Sequence, residues 1–505
     1  MAATPAEMLP VLAKMLNERM PRIRKNRQYS TGKAPMPEMG GNTRASWEKF
    51  QKQARTDYGG LVCRSLASRV RPLGLTVGDD DSPEVRALRR VWRDNRLALV
   101  FGDAVWTMLS TSVGYILTER RADGQPVITS ERPEQMITLP NRAQPWRSEA
   151  ALKMRRDKVT GRDYATVWLD TGEWQSFGRS AKNFYGTFRG DVSGDWEPIT
   201  EVLVNPAGGV PVQVLDNAGG VAEFEPHIDV IDRINHGKLN RLVVAAMQAF
   251  KQRAVKGDLP AEDEDGNSID YDKVFEAAPG ALWDLPEGID IWESKETDVR
   301  PLLEAEKTDA RDFAAVSQTN ISVFLPDGQN QSAEGASNAK EAEIGKAENR
   351  IEIVRPAIEG ALLEALKILK FSLDESIEVQ FAPPAYVSLS EKSNGAAQAK
   401  NAGMSRRWIA KNIWGLTPDE INRNETDLAA EQLAEFSAAV PDIDAQGVGS
   451  ADVKSQSDAL GVLIRAGVVP VSAAAQVGLT GVKFTGAVPV SLRLPTSESD
   501  VLEEK

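Results

Sequence analysis

Apolar residues recur at helical spacing over residues 3–27, where Leu9, Leu12, Met15, Leu16 and Met20 share a face ahead of a basic end, Arg22, Arg24, Lys25 and Arg27. This predicts an N-terminal helix whose basic tail is either a solvated helix end or a contact for DNA or a partner. The stretch TGKAPMPEMGGN breaks the pattern, and helical spacing resumes at about 45–71 and 82–97. Asp81-Ser82-Pro83-Glu84 reads as an N-cap followed by proline at the first helical position. From about 98 to 225 the pattern becomes alternating, in runs such as YILTE, YATVWLD and EVLVN separated by Asp123-Gly124 and Thr171-Gly172. A β-rich block of hairpins is expected there. Its aromatics, Trp146, Trp168, Trp174, Phe184, Tyr185, Phe188 and Trp196, fit a sheet core better than a base-stacking platform, because the nearby basic residues form no stripe.

Residues 226–256 predict one long helix, about 46 Å at 1.5 Å per residue. Gly257-Asp258-Leu259-Pro260 ends it, and an acidic run, Glu262, Asp263, Glu264 and Asp265, opens a small unit that closes near Glu293. That unit carries a short helix at about 270–278 and brief strands near Leu282-Trp283 and Ile289-Trp292. It is too small to bury a core of its own, so something must cover it. A second helix over 301–323 runs into FLPDGQNQSAEGAS, broken by Pro326 and Asp327-Gly328. The longest element, about 332–373, follows with Pro356 inside it, which predicts a kink near 352–356. Its first half is polar or small and does not suit an ordinary core, whereas its second half, AIEGALLEALKILKF, does. A strand at 377–381 and helices at about 394–401, 405–414 and 417–436 come next, the last opened by Thr417-Pro418-Asp419-Glu420. Residues 437–453 read as a linker before a final helix, SQSDALGVLIRAG, a short one from Val471 and an acidic end.

The 505 residues suggest about three packing units. No run of about 18 apolar residues is present to span a bilayer, and the N-terminus shows no secretory h-region. The net charge of -13 disfavours a tight static grip on DNA but suits loose passage of DNA past an acidic wall. One cysteine, Cys63, and two histidines, His227 and His236, leave no means to build a disulfide or a zinc cage. Cys63 lies in YGGLVCRSLASRV and reads as a small buried hydrophobe. Phosphate-loop, GxGxxG, HExxH and GxSxG patterns are missing, nothing sets two carboxylates across a cleft, and the acidic run lacks the Ca²⁺-loop pattern. No enzyme activity and no cofactor are expected. The acidic run is either a solvated loop or a docking surface for a basic partner.

Several stretches in order carry a resemblance. RIRKNRQYSTGKAP is a basic helix end leading into a Tyr and Gly turn, and YGGLVCRSLASRVRPLGLTV a helix ending in Arg before a Gly-bearing strand. LPEGIDIWE is followed by RPLLEAEKTDARDFAAVSQTNISVFLPDGQNQSAEGASNAKEAEIGKAE, and then by AGMSRRWIAKNIWGLTPDEI and ALGVLIRAGVVPVSAAAQVGL. Together they resemble the portal proteins of tailed bacteriophages, of the siphophage-type subfamily. The resemblance implies an α+β portal fold: a wing of helices and a β-rich block (1–225), a stem helix (226–256), a small α/β clip (257–299), a second stem helix (300–324), a tunnel loop (325–337), a kinked long helix with a wing return strand (338–384) and a helical crown with tail (385–505). It also implies a ring, typically of twelve copies, at one capsid vertex of the virion, assembled in the host cytoplasm and conducting double-stranded DNA without hydrolysing anything. The implied partners are the terminase large subunit, head-completion or adaptor proteins, and the major capsid and scaffolding proteins; no membrane is involved.

The residues themselves agree with a chain completed by its neighbours around a wet channel, since head-to-tail contacts that close make rings. Asp327, Gln329, Asn330, Gln331 and Ser332 then fall on the tunnel loop, the last three offering neutral hydrogen bonds to phosphate. Lys340, Lys346 and Arg350 on the polar half-helix face either DNA or an acid of a neighbour, Pro356 marks the kink, and Glu262, Asp263, Glu264 and Asp265 form the docking face of the clip. A helical capsid or tail adaptor that is not a portal is the alternative.

Overall fold

The computed structural model describes residues 3–36, 44–77, 82–180, 196–249, 253–257, 261–262, 266, 268–270, 290–293, 298–325, 333–373, 376–385, 387–439, 450–465 and 470–479. The chain divides into two compact units, Met1–Arg423 and Asn424–Lys505, and its architecture is α+β.

Helix α1 (Pro5–Ser30) starts where Thr4 and Glu7 cap each other, the Glu7 amide donating to Thr4 Oγ1 at 3.3 Å and the Thr4 amide to Glu7 Oε2 at 2.9 Å. Its apolar face, Leu9, Leu12, Leu16 and Met20, packs on an antiparallel six-stranded sheet through Leu152, Met154, Val167 and Phe177. That sheet holds β4 (Met136–Pro140), β5 (Ser148–Asp157), β6 (Arg162–Leu169) and β7 (Glu173–Ser180), with the two-residue strands β8 (Glu197–Pro198) and β9 (Leu203–Val204) both on the outer edge of β7. Gly172, at φ +87°, makes the tight β6–β7 turn that Thr171-Gly172 predicts. A three-stranded antiparallel sheet places β2 (Val113–Arg120) between β3 (Pro126–Glu131) and β10 (Val212–Asp216).

The main core gathers α3 (Tyr58–Arg69), α4 (Pro83–Asp94), α5 (Leu97–Thr111) and the long helix α8 (Ala333–Ile368), beneath strand β1 (Pro72–Thr76) paired with β13 (Glu378–Phe381). α2 (Arg44–Ala54) precedes them. Ser82 caps α4, accepting from the Val85 amide at 3.2 Å, with Pro83 at the first helical position as expected. Cys63 is fully buried and donates to Leu109 O at 3.4 Å. Residues 97–111, read as the start of the β-rich block, are instead helical. α5 is buried almost continuously over residues 104–111 against the sheet, α3 and α4, while Ala98 and Leu99 near its start are exposed, so its apolar residues run together and mask the helical period.

Helix α6 (Ile228–Ala249) is shorter than the helix expected over 226–256. Arg253–Lys256 leaves helical form as β11 and pairs antiparallel with β12 (Asp290–Glu293), because a ladder partner outweighs the weak preference of four residues. The helix at 270–278 and the strand near Leu282-Trp283 lie outside the described residues. The helix expected over 301–323 ends early, as α7 (Arg300–Val316), followed by a single 3-10 turn at Ile321–Val323 that Asn320 caps. Both α7 and α8 stop in the same way. Gln318 (φ +50°) and Lys370 (φ +65°) take left-handed backbone, so that Thr319 N bonds Ala314 O and Phe371 N bonds Leu366 O, each at 3.0 Å. α8 runs unbroken through Pro356, whose missing donor leaves the Glu352 carbonyl without its helical partner.

Beyond β13, α9 (Leu389–Asn401) begins at a Ser388–Glu391 capping box, five residues before the sequence pattern places it. α10 (Arg406–Ile409) continues as a π-turn to Trp414, and α11 (Pro418–Ala439) opens with Glu420 N on Thr417 Oγ1 at 3.3 Å. In the second unit, α12 (Ser450–Arg465) and α13 (Pro470–Gln476) pack together, with Ala473 and Ala474 buried.

Candidate functional site

Helices α6 and α7 form an antiparallel pair held by charge: Arg233 lies 2.9 Å from Asp309 and 3.4 Å from Asp312, and Arg241 lies 2.7 Å from Glu306. The pairing order, rising on one helix and falling on the other, shows their opposite directions. Tyr58 stacks on Phe313 at 5.9 Å, and Lys238 Nζ sits 5.5 Å from the centre of the Tyr58 ring, so an aromatic wedge supports the pair from α3. At the other end Tyr29 donates to Asp232 at 2.8 Å, and Asn235 Oδ1 accepts from both the amide and hydroxyl of Thr56. These contacts anchor α6 to α1 and to the segment before α3.

The polar half of α8 buries one face, Glu343, Ala347 and Arg350, and leaves Gly345, Glu348 and Asn349 exposed, so it is partly in the core that its composition was expected to keep it out of. Charge pairing makes this affordable where apolar contact cannot. Glu343 accepts from Ser65 Oγ and from Arg69 at 3.2 Å. Lys346 Nζ reaches Glu223 Oε2 at 2.8 Å and donates to Ser317 O at 2.9 Å, while Arg350 Nε reaches Glu223 Oε1 at 2.7 Å. Burial alone pushes the Glu223 carboxyl up, but Lys346 and Arg350 outweigh it and hold the group below its ordinary range. Burial and the Lys346 charge lower the His227 imidazole, which favours its neutral form. Glu223 thus fastens the approach to α6, the end of α7 and the long helix at one point.

Of the three cations the sequence sets on this half-helix, Lys346 and Arg350 are spent on an acid of their own chain, a partner that sequence reasoning did not name, and Lys340 is exposed. Glu223 sits amid β-block residues, and no periodicity marks it. Asp327, Gln329, Asn330, Gln331 and Ser332 lie outside the described residues, as do Asp263, Glu264 and Asp265; Glu262 is exposed and bridges Ser268. The basic end of α1 is largely committed within the chain, with Arg22 2.6 Å from Glu225 and Arg27 2.7 Å from Glu134. Trp168 is buried, and Trp174 and Trp196 pack against apolar clusters, as a sheet core requires, whereas Trp146 is exposed. Phe184, Tyr185 and Phe188 lie outside the described residues.

Among the described residues no three His, Cys, Asp or Glu side chains gather as a metal site would need, and no helix is long and apolar enough to cross a membrane. The arrangement is one of helices and sheets anchored by buried charge and by apolar contact. Residues 11–436 match the family described as phage portal protein, SPP1 Gp6-like. The chain therefore belongs to the phage portal protein family, which is non-catalytic. Among solved structures it is similar to a chain of the native gene transfer agent virion, at 14% identity and TM-score 0.41, covering 78% of this chain and 99% of that one. It is also similar to a chain from the neck of the native particle computed with C12 symmetry (13% identity, TM-score 0.40, covering 77% and 98%). A chain from the neck of the empty particle, computed with C6 symmetry, gives 13%, 0.39, 76% and 96%. No curated protein sequence matches the chain.

Proposed function

We propose that this chain is one subunit of a siphophage-type portal: a ring, typically of twelve copies, at a single capsid vertex, through which double-stranded DNA is packaged and later ejected. Family membership across residues 11–436 carries the reading, and the antiparallel α6–α7 pair pinned to α8 at Glu223 supports it as a stiff wall element. In this scheme residues 1–225 form the wing, 226–256 and 300–324 the stem, 257–299 the clip, 325–337 the tunnel loop, 338–384 the long helix and its return strand, and 385–505 the crown. Among the described residues β11 and β12 make a two-stranded sheet, and neighbouring copies covering its edges would supply the partner this small unit needs. Asp327, Gln329, Asn330, Gln331 and Ser332 belong to the tunnel loop on the DNA channel, Lys340 faces that channel, and Glu262 to Asp265 meet the terminase large subunit and afterwards a head-completion or adaptor protein. Major capsid and scaffolding proteins surround the ring in the virion, after assembly in the host cytoplasm. The excess of acid, -13 per chain, keeps moving DNA from adhering to the wall.

Mass measurement of the purified assembly together with electron microscopy down its axis tests the reading. The expected result is a mass near twelve times the 55.1 kDa chain and a central hole. A particle without a through-channel, or a monomer under every assembly condition and in virions, overturns it.

A further inference from the structure

Charge separates by element in the helices that follow β13. Residues 392–417, most of α9 with all of α10 and its π-turn, carry Lys392, Lys400, Arg406, Arg407 and Lys411 and no acid. α11, the next helix, carries six acids, Asp419, Glu420, Glu425, Asp427, Glu431 and Glu435, against one cation, Arg423. A wholly basic hairpin thus precedes a strongly acidic helix.

Part of each charge is answered inside the chain. Lys411 Nζ lies 2.9 Å from Glu378 of β13, and Glu348 and Glu352 of α8 line the same small pocket, so the base of the hairpin is balanced. Lys392 donates to Trp414 O at 3.2 Å across that base. Arg407 donates to Asn422 Oδ1 at 3.0 Å, in the first turn of α11. Glu391, just ahead of the basic stretch, closes the Ser388 cap beside Lys340, and Glu420 closes the Thr417 cap.

The tip of the hairpin is different. Gly403 (φ +87°) turns the chain, Met404 N bonds Ala399 O at 3.0 Å, and residues 400–408 are exposed throughout. Lys400 and Arg406 flank this turn with no ion-pair partner among the described residues, and Met404 and Trp408 are each 45% exposed. Methionine, arginine and tryptophan are the side chains that protein interfaces concentrate, whereas a DNA backbone is gripped by charge and hydrogen bonds without an apolar pair.

α11 offers the complement. From Arg423 to Gln432 it is exposed at every position except half-buried Leu428, so this stretch packs no face into a core. Glu420, Asp427 and Glu431 fall on one stripe, at spacings of seven and four, and the last two repel each other within the helix. Neither Asp427 nor Glu431 has an ion-pair partner among the described residues.

We propose that the α9–α10 tip of one copy docks on α11 of the next, with Lys400 and Arg406 answering Asp427 and Glu431 and with Met404 and Trp408 covering Leu428 and the alanines after it. The inference rests on the portal reading and names a contact between its subunits. Each copy presents both surfaces, so the contact is heterologous and can repeat around a closed ring. Opposite charge sets the direction of the contact and suppresses pairing of two like surfaces.

The test uses the full chain with Lys400→Glu/Arg406→Glu on the tip and Asp427→Lys/Glu431→Lys on the helix, all at exposed positions. Assembly is read by mass photometry and electron microscopy, and folding by circular dichroism and melting temperature. Each variant alone is expected to stay folded but to need at least about tenfold more protein for half-assembly. An equimolar mixture of the two, which pairs reversed with reversed and native with native surfaces around an alternating ring, is expected to return half-assembly to within about threefold of the unaltered chain. Should a reversal reduce melting temperature, the neutral variants Lys400→Gln/Arg406→Gln and Asp427→Asn/Glu431→Gln are expected to show a smaller, roughly threefold, loss. Folded variants that assemble as readily as the unaltered chain overturn the contact, whether or not they bind less DNA, and leave the portal reading intact. Blocked variants that the mixture fails to rescue also overturn it; rescue only when both reversals share one chain would place the pairing within a subunit. An unaltered chain that never forms rings defeats the portal reading and this inference with it.

Discussion

Lys346, one turn before the middle of the long helix, meets Glu223, ahead of α6, at 2.8 Å in a site where the Glu223 side chain is 2% exposed. Two cations and one acid converge there, with Lys346 also on Ser317 O and Arg350 on the second carboxylate oxygen. Removing the acid leaves both cations buried without it. Glu223→Ala is therefore expected to destabilise the chain by about 3–5 kcal/mol, read by urea denaturation, whereas an exposed pair such as Lys14–Glu18 contributes less than about 1 kcal/mol. A loss for Glu223→Ala no larger than for Glu18→Ala refutes the assigned role.

The same carboxyl sets an acid-side dependence. Its folded pKa lies below the ordinary value of 4.5, so its stabilisation is present above that value and is lost as pH falls through the folded pKa. The melting temperature of the unaltered chain should fall more steeply below pH 4.5 than that of Glu223→Gln. Parallel curves remove the claim.

Glu364 works in the opposite direction. Held at about 8 in the folded chain against 4.5 otherwise, it contributes stability that is complete below pH 4.5 and is lost as pH rises through 8. Gln213 from β10 and Thr118 from β2 are its polar neighbours, Lys367 is the cation on its own helix, and Arg19, Arg147, Asp170 and Asp216 line the open cleft of about 920 Å³ that it faces. Glu364→Gln should flatten the stability profile of the unassembled chain between pH 5 and 9 and raise melting temperature at pH 9. An unchanged alkaline slope counts against a neutral carboxyl.

Lys370 ends α8 at φ +65°, a conformation that costs a residue with a Cβ about 1 kcal/mol. Lys370→Gly should stabilise by up to about that amount in urea denaturation, through relief of the left-handed strain at the Phe371–Leu366 cap. Destabilisation would show that the lysine side chain contributes more than its backbone costs.

Deleting residues 329–332 is expected to leave ring assembly unchanged and to reduce DNA packaging or retention in particles. Replacing Glu262, Asp263, Glu264 and Asp265 with Ser should weaken terminase binding to the ring at low salt. Full packaging in the first case, or equal terminase affinity in the second, removes those residues from the corresponding role.

Local pattern was enough for the elements whose two faces differ. α1 shows its core stripe and α4 its cap at Ser82, the Thr171-Gly172 turn follows from its backbone needs, and the long helix is legible from its length and composition. α5 was not legible, because near-continuous burial over residues 104–111 blurs the contrast between faces that reveals a helix. Nor was the strand at Arg253–Lys256, whose state depends on a ladder with residues 290–293, nearly forty positions away. The polar half of α8 makes the same point for the site. Its composition declares charge, but only the fold brings Glu223 beside Lys346 and Arg350. Sequence determines periodicity, caps, turns and net charge because these act within a few residues. Tertiary structure decides which distant charges meet, because Coulomb pairing and burial depend on separation in space.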